Sequence, residues 1–256
     1  MSGFIKKVNR TRGSDFGDKL HARFTVDVEK RYATLCITIR ADAYGQAESR
    51  FHVRHMKPLI LFRGKSQASE PEKRKYDSRV HVYRQKNAWF DSEVARHYAA
   101  LFARSIPEPK SRDRIMLLDN LGAHKHDDFV KMLQDSCRTT AVFLPENTTH
   151  FSQPVDRHVA QTIKTFFMKE MADWFHSINQ AAFKKKKEHV ISISELRVQT
   201  VKALANAWEI FLKEHTHCQK VSFSEIGLSL PIDGSKDKDI NFRGQPDGTQ
   251  HNFGVE

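Results

Sequence analysis

The alternation of apolar and polar positions predicts a strand early in the chain. In "ATLCITIRA", residues 33–41, Leu35, Ile37 and Ile39 alternate with Cys36, Thr38 and Arg40. Period two with many β-branched residues is the signature of a half-buried strand. "KPLILFRGK", 57–65, is an unbroken apolar run ended by Gly64 and predicts a buried strand, and "VHVYRQ", 80–85, predicts another. Upstream, "RFTVDV" is a short β-like stretch. In "WFDSEVARHYAALFARSI" the period changes: Val94, Tyr98 and Leu101/Phe102 share one face, and Asp91 or Ser92 caps the start. "RIMLLDNLGAH" then opens with an apolar run over 115–118, too short for a helix and broken by Asn120, Leu121 and Gly122, so it reads as a buried strand. "HDDFVKMLQDSC" predicts a helix with Phe129, Met132 and Leu133 inward, and "TTAVFLP", 139–145, a strand stopped by Pro145.

Beyond this point the pattern is helical. Ile163, Phe166/Phe167, Glu170/Met171 and Trp174 mark one amphipathic helix, and Leu196, Val201, Leu204, Trp208 and Phe211 another. "SQASEPEKRKYDSR" is read as an exposed charged connection. The order β-β-β-α-β-α-β followed by helices predicts an α/β fold: a mixed sheet with helices on both faces, then C-terminal helices. Residues 1–215 are expected to form the globular body and 216–256 a C-terminal segment, partly loose, since from about Pro231 it is rich in Gly, Asp and Lys. No internal repeat is present.

Composition changes the picture in two places. No apolar run approaches the ~20 residues of a membrane span, and the N-terminus has no apolar core of signal-peptide length. The 3 cysteines (Cys36, Cys137, Cys218) are odd in number and scattered, which points to a reducing, intracellular setting rather than a disulfide framework. The formal net charge is +11. That favours a polyanionic partner, and phosphate backbones bind Lys and Arg with release of counterions.

The chemistry gathers around two carboxylates. Asp119 ends the 115–118 strand, where an ionised Asp at the edge of an apolar interior needs a partner. It is either a cap for the following helix or a metal ligand. Asp156 sits where the loop after the 139–145 strand turns into a helix, just past Pro154. It too is either a cap, favoured by the helix dipole, or a ligand. Two convergent carboxylates suit hard cations such as Mg²⁺ or Mn²⁺, and paired ions can drive phosphodiester cleavage. His124 either orients a ligand or phosphate or caps a buried carbonyl. Lys184 to Lys187 are a solvated helix end or a DNA contact. His215, His217 and Cys218, with only a distant His251 in addition, fall short of the paired spacing of a zinc site. His52 and His55 read as loop residues, and Phe166, Phe167 and Trp174 as core.

"LLDNLGAH" followed by "VFLPENTTHFSQPVD" resembles the signature of the DDE superfamily endonucleases, closest to the pogo/Tigger/jerky branch related to mariner. The residues carrying the resemblance are Asp119, Asn120, His124, Leu144, Pro145, Asn147, Thr148, Gln153, Pro154 and Asp156. "ATLCITIRADAYG", "KPLILFRGK" and "QKNAWFDSEV" are similar to upstream elements of the family, and "FSEIGLSLPIDGSKDKDI" to the C-terminal segment of some eukaryotic members. The resemblance implies an RNase H-like fold and metal-dependent DNA strand cleavage and transfer, with Asp119 and Asp156 as the second and third metal-binding carboxylates. The first carboxylate is expected on a strand preceding "ATLCITIRA". Upstream lie only Asp15, Asp18 and Asp27, none in an apolar Asp-Glu or Asp-Gln setting. The expectation is therefore a catalytic domain clipped at its front edge, its triad incomplete, with Asp27 the one upstream acid able to substitute. The implied function is a nuclear DNA-binding protein derived from a transposase. The alternatives are an active Mg²⁺- or Mn²⁺-dependent endonuclease and a poorly folding fragment. DNA is the implied partner and no membrane is; a homo-oligomer is left open.

Overall fold

The computed structural model describes residues 32–41, 56–64, 66–106, 110–145, 152–185 and 189–242. The chain is α/β, with small sheets and C-terminal helices, and it divides into two compact units, each drawn from separated stretches of sequence.

Among the described residues, the first unit takes in 32–36, 58–89 and 163–210. Its sheet has the order β1-β2-β3, from strands Ala33–Cys36, Leu59–Arg63 and His81–Gln85. β1 pairs antiparallel with β2, Ala33 facing Phe62, and β2 pairs parallel with β3, Leu59 facing His81. β2 is central, and Leu59, Ile60, Leu61 and Phe62 are all buried. That is why its sequence is an unbroken apolar run rather than an alternation. Helices α4 (Ala160–Lys185) and α5 (Ile193–Glu214) supply the rest of this core. Ile163, Phe167 and Met171 recur every four residues on α4, and Leu196, Val201, Leu204, Ala205 and Trp208 line the buried side of α5.

The charged connection 66–79 is more than an exposed link. It carries a short helix, α1 (Glu70–Lys73), whose Glu72 is buried. Arg197 of α5 grips Glu72 with two charge-assisted bonds, Nε to Oε1 at 2.6 Å and Nη2 to Oε2 at 2.7 Å, and Tyr76 adds its hydroxyl. These bonds hold the Glu72 carboxyl down at about 2 against the opposing effect of burial. Composition alone hides this, because a partner 125 residues away makes burial of the acid tolerable. Arg79 likewise ties Asp77 to Asn206 and Glu209, and Asn206 reaches on to Glu170 of α4.

Among the described residues, the second unit draws on those within 37–57, 90–162 and 211–242. α2 (Ser92–Ser105) starts as expected, with the Asp91 side chain accepting a bond from the Val94 amide at 3.0 Å. Its buried face is Val94, Ala95, Tyr98, Ala99 and Leu101. Strands β4 (Arg114–Leu118) and β5 (Thr139–Phe143) pair in parallel, Leu118 facing Phe143. The crossover between them is α3 (Asp127–Cys137), buried through Phe129, Leu133 and Cys137 and closed by Arg138 in the left-handed region at φ 47°. β4 is a strand, but its apolar run is not buried throughout. Met116 and Leu118 are buried while Ile115 is 72% exposed. Alternate side chains point to opposite faces, and among the described residues its one strand partner is β5. After α5 come α6 (His217–Glu225) and a returning stretch whose Ile240 is buried. Among the described residues no helix is long and apolar enough to cross a membrane.

Candidate active site

The site is built where β4 and β5 end side by side. The parallel ladder runs one residue past β5, the Leu144 amide donating to the Leu118 carbonyl at 2.8 Å. Asp119 follows directly. Asn120 then turns its side-chain amide across to the Leu144 carbonyl, fastening the two chain ends together. A tight turn comes next, with the His124 amide on the Leu121 carbonyl at 2.8 Å and the Lys125 amide on Gly122 at 3.2 Å. The turn brings the His124 ring back over Asp119, so that Nδ1 lies 2.6 Å from Asp119 Oδ1.

That ring is held by its neighbours. It meets Phe90 edge-on, centroids 4.9 Å apart, and stacks on Phe129 at 5.9 Å. Tyr98 packs edge-on against Phe90 and is itself hydrogen-bonded to Thr38. Aromatic packing thus fixes the imidazole, and the imidazole fixes the carboxylate. The His124 bond holds the Asp119 carboxyl below the ordinary range, while burial works the other way.

The capping alternative for Asp119 does not hold. α3 begins eight residues later, behind His126, and no side chain caps it. His124 bonds a carboxylate rather than a buried carbonyl.

Asp156 occupies a local irregularity that the sequence pattern does not announce. Between Pro154 and α4 the chain makes a π-helical turn, Val155–Val159, anchored by buried Val155 and Val159. Such turns carry one extra residue per turn, shift the direction of the side chains they hold, and recur at functional sites. Asp156 does not serve as a side-chain cap here. Among the described residues its carboxylate accepts no hydrogen bond. Burial pushes its pKa up, and the charge of Asp119 pushes it the same way. The two carboxylates singled out in the sequence therefore lie within reach of each other's charge, and their environments drive them apart in acidity. One turn earlier, the buried Gln153 Oε1 has no hydrogen-bond partner among the described residues.

These donors are hard oxygens, the type Mg²⁺ and Mn²⁺ select. Two carboxylates within reach of each other's charge fit a cation in kind. In number they fall short. Among the described residues no three His, Cys, Asp or Glu side chains gather where a metal could sit. Asp27, the candidate first carboxylate, lies outside the described residues, as do Asn147, Thr148, His52, His55, His251, Lys186 and Lys187. The rings of His215 and His217 are 6.1 Å apart and Cys218 Sγ is 3.6 Å from His217 Nε2, without further zinc ligands among the described residues.

The sequence model of one family, described as the DDE superfamily endonucleases, matches residues 50–217, a stretch that includes both Asp119 and Asp156. The chain belongs to the DDE superfamily endonucleases. No curated protein and no solved structure matches it. Membership of the DDE superfamily ties the chain to transposase-related nuclease chemistry, which in these domains generally uses divalent metals. Residues 218–256 lie beyond the matched stretch.

Proposed function

We propose that the protein binds DNA through its phosphates and that Asp119 and Asp156 form the protein's share of a divalent-cation site facing that backbone. The observation that carries the reading is the electrostatic link between the pair: Asp156 is raised by burial and by Asp119, with no hydrogen bond among the described residues to offset either. A cation at this point is the counter-charge that such a pair calls for. The family supports DNA as the partner, and the net charge of +11 supports binding by counterion release. In this reading the protein descends from a transposase of the pogo/Tigger/jerky-like branch and works in the nucleus.

Each residue has a definite task. His124 keeps Asp119 ionised and fixes its direction. Asn120 holds the β4 end against the β5 end, so that Asp119 does not drift. Asp156 approaches from the π-helical turn and is the more easily protonated partner. A bound Mg²⁺ or Mn²⁺ would supply Lewis-acid polarisation of a phosphate oxygen and a more acidic water.

The second reading is metal-dependent cleavage and transfer of DNA strands, favoured by the family itself. It requires a further carboxylate beside the pair, and Asp27 is the candidate. Nicking of supercoiled DNA in Mn²⁺, compared with filter binding of the same DNA, separates the two. Binding with little nicking supports the first reading. Robust nicking abolished in Asp119→Ala, Asp156→Ala and Asp27→Ala supports the second. Loss of neither binding nor nicking in the Asp119 and Asp156 variants would sink both.

A further inference from the structure

Arg157 and His158 follow Asp156 on the π-helical turn, and both reach the same atom. Arg157 donates Nε and Nη2 to Glu225 Oε2 at 3.1 and 2.7 Å, and His158 places Nε2 2.8 Å from that oxygen. The Arg157 side chain is only 8% exposed. Its Nη2 also donates to the Asn241 carbonyl. The Asn241 amide in turn donates to the Glu225 carbonyl at 2.7 Å. Glu225 is the last residue of α6, and Asn241 closes a loop that leaves α6 and returns to it.

The return is built into the chain. Gly227 sits in the left-handed region at φ +79°, and a Cβ there would stand 3.2 Å from Ile240 Cδ1. A side chain at 227 would therefore meet both backbone strain and the buried Ile240. Gly234, at φ +74°, makes the second bend, beside the Asp233 carboxylate that accepts from Ser235. Neighbouring residues on a π-helical turn point roughly 80° apart. When two of them converge on one oxygen, the rotation of the turn about its axis is fixed, and with it the direction of Asp156. A π-helical turn is intrinsically less favourable than an α-helical one, so it persists where outside contacts hold it.

We propose that Glu225, locked by Asn241, is a positioning residue for Asp156: it clamps the π-helical turn through Arg157 and His158 and so sets where the Asp156 carboxylate points. The proposal rests on the cation-site reading above. It assigns a role in the site to a segment outside residues 50–217, the part that matches the family.

The test uses the whole chain in two variants. Glu225→Gln keeps the shape of the anchor and removes its charge. The pair Arg157→Leu with Glu225→Leu removes both charges and leaves neither buried alone. Peptide-level hydrogen exchange is read over 152–162 and over β4 and β5, and Mn²⁺ affinity is read by electron paramagnetic resonance. In both variants exchange should rise over 152–162 while β4 and β5 stay as in the parent. Mn²⁺ affinity should fall about tenfold, the lower end of what loss of a ligand-orienting partner costs. Unchanged exchange over 152–162, a rise spread equally through β4 and β5, or parental Mn²⁺ affinity would each overturn the proposal. Asp119→Ala and Asp156→Ala run alongside. If these bind Mn²⁺ like the parent, or if the parent binds none, the cation reading fails instead, and exchange alone decides whether Glu225 is the clamp.

Discussion

His124 holds Asp119 through a 2.6 Å bond from Nδ1 to Oδ1, with the two side chains only 16% and 20% exposed. A carboxylate bonded in this way is directed as well as charged. The imidazole cannot swing aside because Phe90 and Phe129 flank it. One side of the carboxylate pair is therefore organised before any cation arrives.

Removing the histidine should loosen that side and let the Asp119 carboxyl titrate higher. Asp119 has a folded pKa below its unfolded value of about 3.9, so its contribution is present above that value and is lost as pH falls through the folded pKa. His124→Ala is expected to cost about 1.5–3 kcal/mol at pH 7, the range for a hydrogen bond to a charged group. The deficit should shrink at pH 3. Urea midpoints at the two pH values measure this, and carbon NMR of the Asp119 carboxyl should show its titration moving upward in the variant.

Asp156 should behave in the opposite sense. Its folded pKa is raised, so folding is favoured while it is protonated, and stability falls as pH rises from the ordinary carboxylate range through the folded value. Asp156→Asn removes the charge without changing the shape. It is expected to stabilise the metal-free protein by roughly 0.5–2 kcal/mol at pH 7 while abolishing its response to Mn²⁺. Thermal melts with and without Mn²⁺ read both effects at once. A variant that is less stable and still responds would contradict the reading.

Added Mn²⁺ should raise the melting temperature of the parent. At a hundredfold excess over the dissociation constant the stabilisation is about 2.7 kcal/mol. Asp119→Ala and Asp156→Ala should each show no such rise, and EDTA should reverse it in the parent.

DNA binding should depend steeply on salt and weakly on sequence. The +11 charge supplies the attraction, and neutralised phosphates release counterions, so the logarithm of affinity should fall linearly with the logarithm of salt. Fluorescence anisotropy on unrelated duplexes from low to physiological salt checks it. A flat salt response would remove the electrostatic basis of the proposal.

The Glu72–Arg197 pair offers a test away from the site. Glu72→Gln leaves Arg197 without its counter-charge, and breaking such a buried pair costs about 3–5 kcal/mol. Since Glu72 is held at about 2, its contribution should be complete above about 4.3 and drain away between there and about pH 2. Denaturation midpoints of parent and variant should therefore converge as pH approaches 2.

The elements were legible in the chain because their signals are local. The β-branched run from Ala33, the four-residue recurrence of Ile163, Phe167 and Met171, and the Asp91 cap each depend on neighbours a few positions away. The period-two run is cut short, because β1 ends at Cys36 and Ile37 and Ile39 lie beyond the strand. The placing of Asp119 just past a strand end and of Asp156 at a helix entry was also legible in the sequence. What each residue does was not, because that depends on partners brought from far along the chain. Whether Asp119 caps a helix or accepts from His124 was decided by a turn and by Phe90, which comes from the connection ahead of α2. The burial of Glu72 needed Arg197, 125 residues on. The π-helical turn under Asp156 has no periodic signature, and the Glu225 and Asn241 contacts that hold it come from the far end of the chain. Sequence spacing fixes which groups are available. Only folding settles which of them meet, because a hydrogen bond or an ion pair is a relation of distance in space, and the contacts that define this site close loops tens of residues long.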